Sequence, residues 1–275
     1  MLEVSRAGYY KYLGREPSQT AVKQAELVQE IQRIRELPRH DDYGSPRMHR
    51  LLRKNGYNCC ENTVARLMKR NGIKARTARK FKVVTTDSSH DQPIAKNLLE
   101  QRFEAERPNQ VWLTDFTYIP TKEGFTYLCT IEDLYSRRIV GWATSRKIDT
   151  ELALKALMQA VALRSGLQGL IFHSDRGSQF ASCEFREILQ RCGFLQSMSR
   201  KGNCYDNAPM ESFFRSYKTE ETTRSEYETH EEATRGVTEY IDRFYNRTRL
   251  HSSLGYRSPA EFERLRLWEM GSQTG

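Results

Sequence analysis

The sequence predicts a chain in two parts: an N-terminal all-α helix-turn-helix module, followed by an α/β core built on a mixed sheet of the α+β kind. Three observations predict it. Apolar residues recur at helical spacing in the first 82 positions and at strand spacing after residue 104; basic charge is concentrated in one stretch; and the later patterns follow the order βββαβαβ. At 275 residues, the chain is long for a single core.

The first helix is read from Thr20, with Val22, Leu27, Val28, Ile31 and Ile34 along one side, and it ends near Leu37-Pro38 because proline disfavours helix in the residue before it. Two short helices follow, Ser45–Lys54 and Glu61–Arg70, separated by Asn55-Gly56-Tyr57-Asn58 and closed by Asn71-Gly72. In the second, Val64, Leu67 and Met68 face inward while Thr63, Arg66, Lys69 and Arg70 stay outside, as a helix entering a DNA groove requires. A plain helical hairpin has the same periodicity, and charge decides between them. From Arg47 to Lys82 there are twelve Lys/Arg and one acid, Glu61, so the segment carries +11 of a chain total of +9 and the remainder is net −2. Such a block suits a phosphate backbone, and Arg66, Lys69 and Arg70 are the candidate DNA contacts. This region spans 1–82.

Residues 83–104 read as a linker, since Thr85-Thr86-Asp87-Ser88-Ser89-His90-Asp91-Gln92-Pro93 is polar and ends in proline. Beyond it come strands at Val111–Ile119, Thr126–Ile131 and Arg138–Thr144, with turns at Lys122-Glu123-Gly124 and Asp133-Leu134-Tyr135-Ser136. A helix starts after Asp149-Thr150, with Leu154, Leu157, Met158 and Val161 in phase. A buried strand at Leu170–Phe172, a helix through Phe185, Ile188, Leu189 and Cys192, and a strand at Phe194–Ser199 complete the order. The core and its C-terminal helices are assigned to 105–265 and a tail to 266–275.

Mean hydropathy of −0.74 and charges in every 18-residue window exclude a membrane span by default, and the N-terminus lacks the apolar run of a secretory signal, so the expected location is the cytoplasm. The six cysteines form no C-x-x-C pair, and reduced thiols are expected. His40, His49, Cys59 and Cys60 fit neither usual finger spacing.

Three acids fall where strands and a helix would aim them at one edge of the sheet. Asp115 lies within the first strand, Asp175 ends the fourth, and Glu211 belongs to a helix opened by Asp206-Asn207 with Pro209 in its first turn. In that helix Met210, Phe213, Phe214 and Tyr217 make the packed stripe, with Glu211, Arg215 and Lys218 beside it. Lys218 lies about 10 Å along the same face from Glu211, suited to a phosphate. Clustered carboxylates repel unless protonated or holding a cation, so the trio points to divalent metal. Two Mg2+ or Mn2+ ions would activate the attacking oxygen and stabilise the leaving one in a phosphodiester displacement. Glu132, Asp133 and Asp206 are read as turn or cap residues, Trp112 and Trp142 as core, and His173 as a packing or supporting residue. Gln179 and the Gly177-Ser178 turn would shape a groove. Asn207, one turn before Glu211, would orient it, although helix capping is enough to explain it.

Asp175 follows Asp115 by 60 positions, 35 residues separate Asp175 from Glu211, and Lys218 follows Glu211 by seven. The phrases Pro108–Asp115, His173-Ser174-Asp175-Arg176-Gly177-Ser178-Gln179-Phe180, Asn203–Phe214 and Tyr245–Tyr256 closely resemble the retroviral-integrase-like transposases, in the insertion-element branch whose transposase is read from two overlapping frames. The resemblance extends from Val4–Tyr10 to Ser258–Phe262. It implies an RNase H-like catalytic core with Asp115, Asp175 and Glu211 as catalytic metal ligands and Lys218 on DNA. It further implies hydrolytic cleavage at the element end, followed by attack of the freed 3′-hydroxyl on target DNA. The implied partners are double-stranded DNA at element ends and target, and other copies of the chain. The family's fusion proteins carry an upstream helix-turn-helix and zipper from the first frame; the chain is expected to begin after them and to engage that product. Three other readings compete. One is an RNase H-type nuclease that never rejoins, which would not need the basic module. Another is a tyrosine recombinase, imitated by His173-x-x-Arg176 and Tyr205, which leaves the acid spacing unexplained. The last is a non-catalytic DNA-binding regulator, which would not need all three carboxylates.

Overall fold

The computed structural model describes residues 5–13, 16–76 and 92–272. The end of the basic run and the first part of the predicted linker, 77–91, lie outside the described residues, as do tail residues 273–275. The chain divides into two compact units, residues 1–77 and 78–275.

The first unit contains α1 (Arg6–Leu13), α2 (Gln19–Glu36), α3 (Ser45–Lys54) and α4 (Glu61–Arg70). The Ser18 hydroxyl caps α2, accepting from the Ala21 N–H at 3.2 Å, and the helix stops where Leu37 turns extended before Pro38. Leu27, Ile31 and Ile34 of α2, Met48 and Leu52 of α3, and Val64, Leu67 and Met68 of α4 are buried, as is Tyr43. Asn55, in the turn between α3 and α4, donates to Glu30 on α2 at 2.9 Å. Gly56 follows with φ +91°, a conformation that glycine adopts without steric penalty. The unit is the predicted helical region, and Arg66, Lys69 and Arg70 of α4 lie on its outer face, away from Val64, Leu67 and Met68.

The second unit is built on a five-stranded sheet in the order β3-β2-β1-β4-β5, from β1 (Val111–Thr121), β2 (Gly124–Asp133), β3 (Arg138–Ser145), β4 (Ile171–Ser174) and β5 (Leu195–Met198). The first three strands form the expected antiparallel meander, and β4 and β5 add in parallel on the other side of β1. α5 (Thr150–Leu163), capped by the Asp149 carboxylate at 2.9 Å, packs on β2 and β3. Gly141 permits that approach: a Cβ there would run into the carbonyl oxygen of Ala156 and stand 2.8 Å from Ala160 Cβ. The core formed there takes Trp112, Phe116 and Ile131 from the sheet. It also takes Leu157 from α5, Phe180 from α6 (Ser178–Ala181), and Phe185 and Leu189 from α7 (Cys183–Arg191).

A second layer comes from the C-terminal third. α8 (Ala208–Tyr217) continues into a π-helical turn, Lys218–Thr222; α9 (His230–Thr238) continues into another, Glu239–Tyr245; α10 spans Pro259–Ser272. α8 packs on β1, and α9 on β1 and β2. Phe213, Tyr217, Tyr240 and Tyr245 are buried together, with ring centroids 4.8 Å apart for Phe213–Tyr245 and 5.0 Å for Tyr217–Tyr240. Arg249, 3% exposed, donates to both oxygens of Glu220, also 3% exposed, and to Ser216 Oγ at 2.8 Å. Glu263 holds α10 to the sheet by accepting from Ser136, Arg138 and Arg164. Among the described residues, no helix is long and apolar enough to cross a membrane.

Candidate active site

Asp115 sits mid-strand, half-buried, paired with Thr130 across the hairpin. Alternation along β1 turns it to the face opposite Trp112 and Phe116, away from the core under α5. On the parallel side the register runs Val111 with Ile171, Trp112 with Phe172 and Leu113 with His173. Asp175 follows β4 directly, just past the end of that pairing, and its charge acts on Asp115. Asp115 Oδ1 accepts from the Phe116 N–H at 2.7 Å, and Asp175 Oδ1 from the Gly177 N–H at 2.9 Å. A Cβ on Gly177 would stand 2.9 Å from Gln179 Oε1 and 3.1 Å from that Asp175 oxygen, so the turn closes tightly around the carboxylate.

Burial, and then the charge of Asp175, hold the Asp115 carboxyl well above the usual carboxylate range; Glu211 adds to the rise, while the Phe116 N–H and Lys218 oppose it. Glu211 stands exposed on the first turn of α8, its carboxyl raised by partial burial against the pull of Arg215. Lys218 opens the π-helical turn, half-buried, with Nζ 4.6 Å from the centroid of the Tyr118 ring. Burial lowers its pKa and Asp115 raises it. Four predicted residues thus share one electrostatic neighbourhood, joined through Asp115.

The donor chemistry fits a hard divalent cation: the carboxylates of Asp175 and Glu211 act on that of Asp115, and Asn207, bonded to the carbonyl of Thr114, the residue before Asp115, carries a buried acceptor, Oδ1, that no hydrogen bond satisfies. Among the described residues, no three His, Cys, Asp or Glu side chains stand close enough together to hold a metal ion. Asp175 and Glu211 each raise the Asp115 carboxyl through their charge, and Lys218 lowers it.

An integrase core domain model matches residues 105–204, a second model of that description matches 193–259, and an HTH-like domain model matches 22–81. A 31 kDa protein of insertion element IS600 from Shigella sonnei is 43% identical over 94% of this chain and 94% of its own length. The transposase of insertion sequence element IS904 from Lactococcus lactis is 39% identical over 91% of this chain and 98% of its own. The chain belongs to the insertion-sequence transposases. Its second unit is an integrase-like core and its first an HTH-like helical region. Among solved structures, a chain of the simian T-cell lymphotropic virus intasome in complex with PP2A regulatory subunit B56 gamma aligns with a TM-score of 0.49 and 12% identity, over 78% of this chain and 73% of that one.

Several residues of the transposase take roles other than those the sequence suggests. Asn207 occupies the N-cap position of α8, but its side chain makes no capping bond and instead donates to the Thr114 carbonyl at 3.2 Å, next to Asp115. Asp206 is no simple turn acid: wholly buried, it accepts from Asn97, Gln101 and the Arg200 backbone and guanidinium. Glu132 is neither turn nor cap but a buried strand residue facing Arg137 at 3.4 Å, its carboxyl pushed up to about 7 by burial. Asp133 does close the following turn, accepting from the Tyr135 N–H at 2.9 Å, and it also pairs with Arg164. His173 is buried between Ser197 Oγ at 2.8 Å and Ser199 Oγ at 3.2 Å, and burial lowers its pKa to about 4, so the ring is a neutral packing group. Trp112 is core as expected, whereas Trp142 is half-buried, its indole N–H directed at Asp242 at 3.3 Å.

Proposed function

We propose that this transposase cuts the strand at its element ends and joins the freed 3′-hydroxyl to a target phosphodiester at Asp115, Asp175 and Glu211. The observation that supports the reading is that the charges of Asp175, Glu211 and Lys218 all act on Asp115, with Asp175 directly after the strand that pairs in parallel with β1. Asp115 and Asp175 would hold the metal from the sheet, and Glu211 would complete the set from the helix. Magnesium or manganese, as a pair of ions, supplies Lewis-acid activation of the attacking oxygen and charge neutralisation at the leaving one. The like-charge repulsion that Asp175 exerts on Asp115 is what a cation would relieve. Lys218, its Nζ over the Tyr118 ring, would meet a phosphate oxygen beside the carboxylates. Asn207 keeps the start of α8 against the strand that carries Asp115.

In this reading residues 1–82 grip double-stranded DNA through α4, with Arg66, Lys69 and Arg70 on the groove or its phosphates. Residues 83–104 link that region to the catalytic core and its C-terminal helices at 105–265, and 266–275 form a tail. Two DNA ends must be joined in one event, which calls for more than one copy of the chain, with the upstream-frame product as a further partner in end recognition. The test is a labelled element end incubated with Mg2+ and a target duplex, with nicked and joined products resolved. Asp115→Asn, Asp175→Asn and Glu211→Gln should each abolish joining while salt-sensitive DNA binding persists. Joining by any of the three purified variants overturns the assignment.

A further inference from the structure

We infer that Asp206 is a positioning residue for Glu211, and that the segment just ahead of the sheet, through Asn97 and Gln101, holds it in place. The inference rests on the assignment of Glu211 to the active site. Asp206 is wholly buried two residues before α8 begins, yet both of its oxygens are fully engaged. Asn97 Nδ2 and Gln101 Nε2 each donate at 2.9 Å, the Arg200 N–H at 2.8 Å, and the Arg200 guanidinium at 2.9 and 2.7 Å. Two of those donors lie more than a hundred positions away in sequence. An acid needed only to start a helix would bond the first free N–H groups of that helix; this one bonds outward, to the approach segment and to Arg200.

The approach segment is shaped for this contact. Glu100 and Gln101 are consecutive non-glycine residues with φ of +48° and +64°, a left-handed pair that L side chains rarely adopt and that surrounding contacts must enforce. Asn97 Oδ1 accepts from the N–H groups of Leu99 and Glu100, and Leu98 N–H donates to Ser197 Oγ on β5, which fixes the bend to the sheet edge. From Asp206 the path to Glu211 is short. Asn207 donates to the carbonyl of Thr114, and Glu211 follows four residues later on the first turn of α8, about 6 Å along the axis. The helix start lacks a side-chain cap, so the Asp206 and Asn207 contacts set where α8 begins relative to Asp115. A slack start would move Glu211 while leaving in place Asp115, held by strand pairing, and Asp175, held by the Gly177 N–H.

Gln101 is exposed and tolerates truncation without leaving a buried void, whereas Asp206→Asn perturbs the buried end of the same bonds. Gln101→Ala, Asn97→Ala/Gln101→Ala and Asp206→Asn should lower kcat for strand transfer by roughly 10–100-fold, the usual effect of losing a group that orients a ligand, with KM for DNA unchanged. Mn2+ affinity, titrated directly without DNA turnover, should weaken in parallel, and the amides of Met210, Glu211 and Ser212 should exchange hydrogen faster. The double variant with parent kcat, Mn2+ affinity and exchange overturns the inference. So does a loss of activity in all variants that follows the unfolded fraction alone, with Mn2+ affinity per folded molecule unchanged. Glu211→Gln is run alongside: joining by that variant removes the active-site assignment, and the inference with it, whereas an inactive Glu211→Gln beside unaffected Gln101 and Asp206 variants removes the inference alone.

Discussion

Replacing Arg249 by Met removes the guanidinium that donates to both oxygens of Glu220 and leaves that carboxylate buried, with the Tyr240 hydroxyl still donating to it at 2.8 Å. Both side chains are 4% exposed, so water cannot take the place of the missing partner. Removing one member of such a pair costs about 3–5 kcal/mol, because the stranded charge keeps its desolvation penalty. Replacing both members, Arg249→Met with Glu220→Leu, should cost far less, since the penalty leaves with the charge. At ~2–4 °C per kcal/mol for a unit of this size, the single variant should unfold roughly 6–20 °C below the parent, with the double variant recovering most of the gap. Urea titration and calorimetry on the four members of the cycle give the coupling energy. A single-variant loss under ~1 kcal/mol, or a double variant as unstable as the single one, refutes the reasoning. Because Glu220 lies in the π-helical turn that begins with Lys218, strand transfer should also fall in the single variant at temperatures where it remains folded.

The remaining expectations concern other links in the chain. Gly141→Ala should destabilise the second unit by about 1–3 kcal/mol in thermal melts, since the new methyl meets backbone in α5 and not a flexible side-chain end. Glu132, with a folded pKa of about 7 against 4.5 ordinarily, stays protonated where the unfolded chain ionises, so its contribution makes stability fall as pH rises from about 4.5 to 7. His173 gives the opposite slope, its contribution being lost as pH falls from 6.5 towards 4, so the parent is compared with Glu132→Gln. The difference between the two urea-stability curves should open by up to about 3 kcal/mol across that window, and parallel curves would contradict the assignment. Replacing Arg66, Lys69 and Arg70 together by Ala should weaken DNA binding and reduce the salt slope by about 0.9 for each phosphate that is no longer neutralised; an unchanged slope would make α4 a scaffold helix.

Periodicity locates α3 and α4 at their observed bounds and the five strands within about two residues, because each of those elements presents one apolar face to a core that its own residues announce. β2 runs two residues past its predicted end, since Glu132 and Asp133 still pair with Leu113 and Trp112 although their charge reads as a turn. The two π-helical turns, α6 and the helices after residue 229 leave no distinct signal: a π turn has the residue types of an α-helix, and α6 is four residues long. The candidate acids are legible because a charged residue inside an apolar strand calls for explanation. Asp206 is not, since its meaning comes from Asn97 and Gln101, and no local pattern links positions so far apart. Asn207 is half legible for the same reason: its place before Glu211 suggests an orienting residue as well as a cap, but its partner, the Thr114 carbonyl, belongs to a different element.

The sheet order has a consequence for biosynthesis. Strands β1 to β3 can zip together as consecutive hairpins while later residues are still inside the ribosome, but β4 joins β1 only after a helical crossover has been made, and α8 follows later still. A nascent polypeptide therefore displays its basic helices well before the neighbours of Asp115 have been translated. Under the proposed function, any grip on nearby DNA at that stage precedes the ability to cut it, and the translation of roughly 140 further residues, from Arg70 to Glu211, separates the two events.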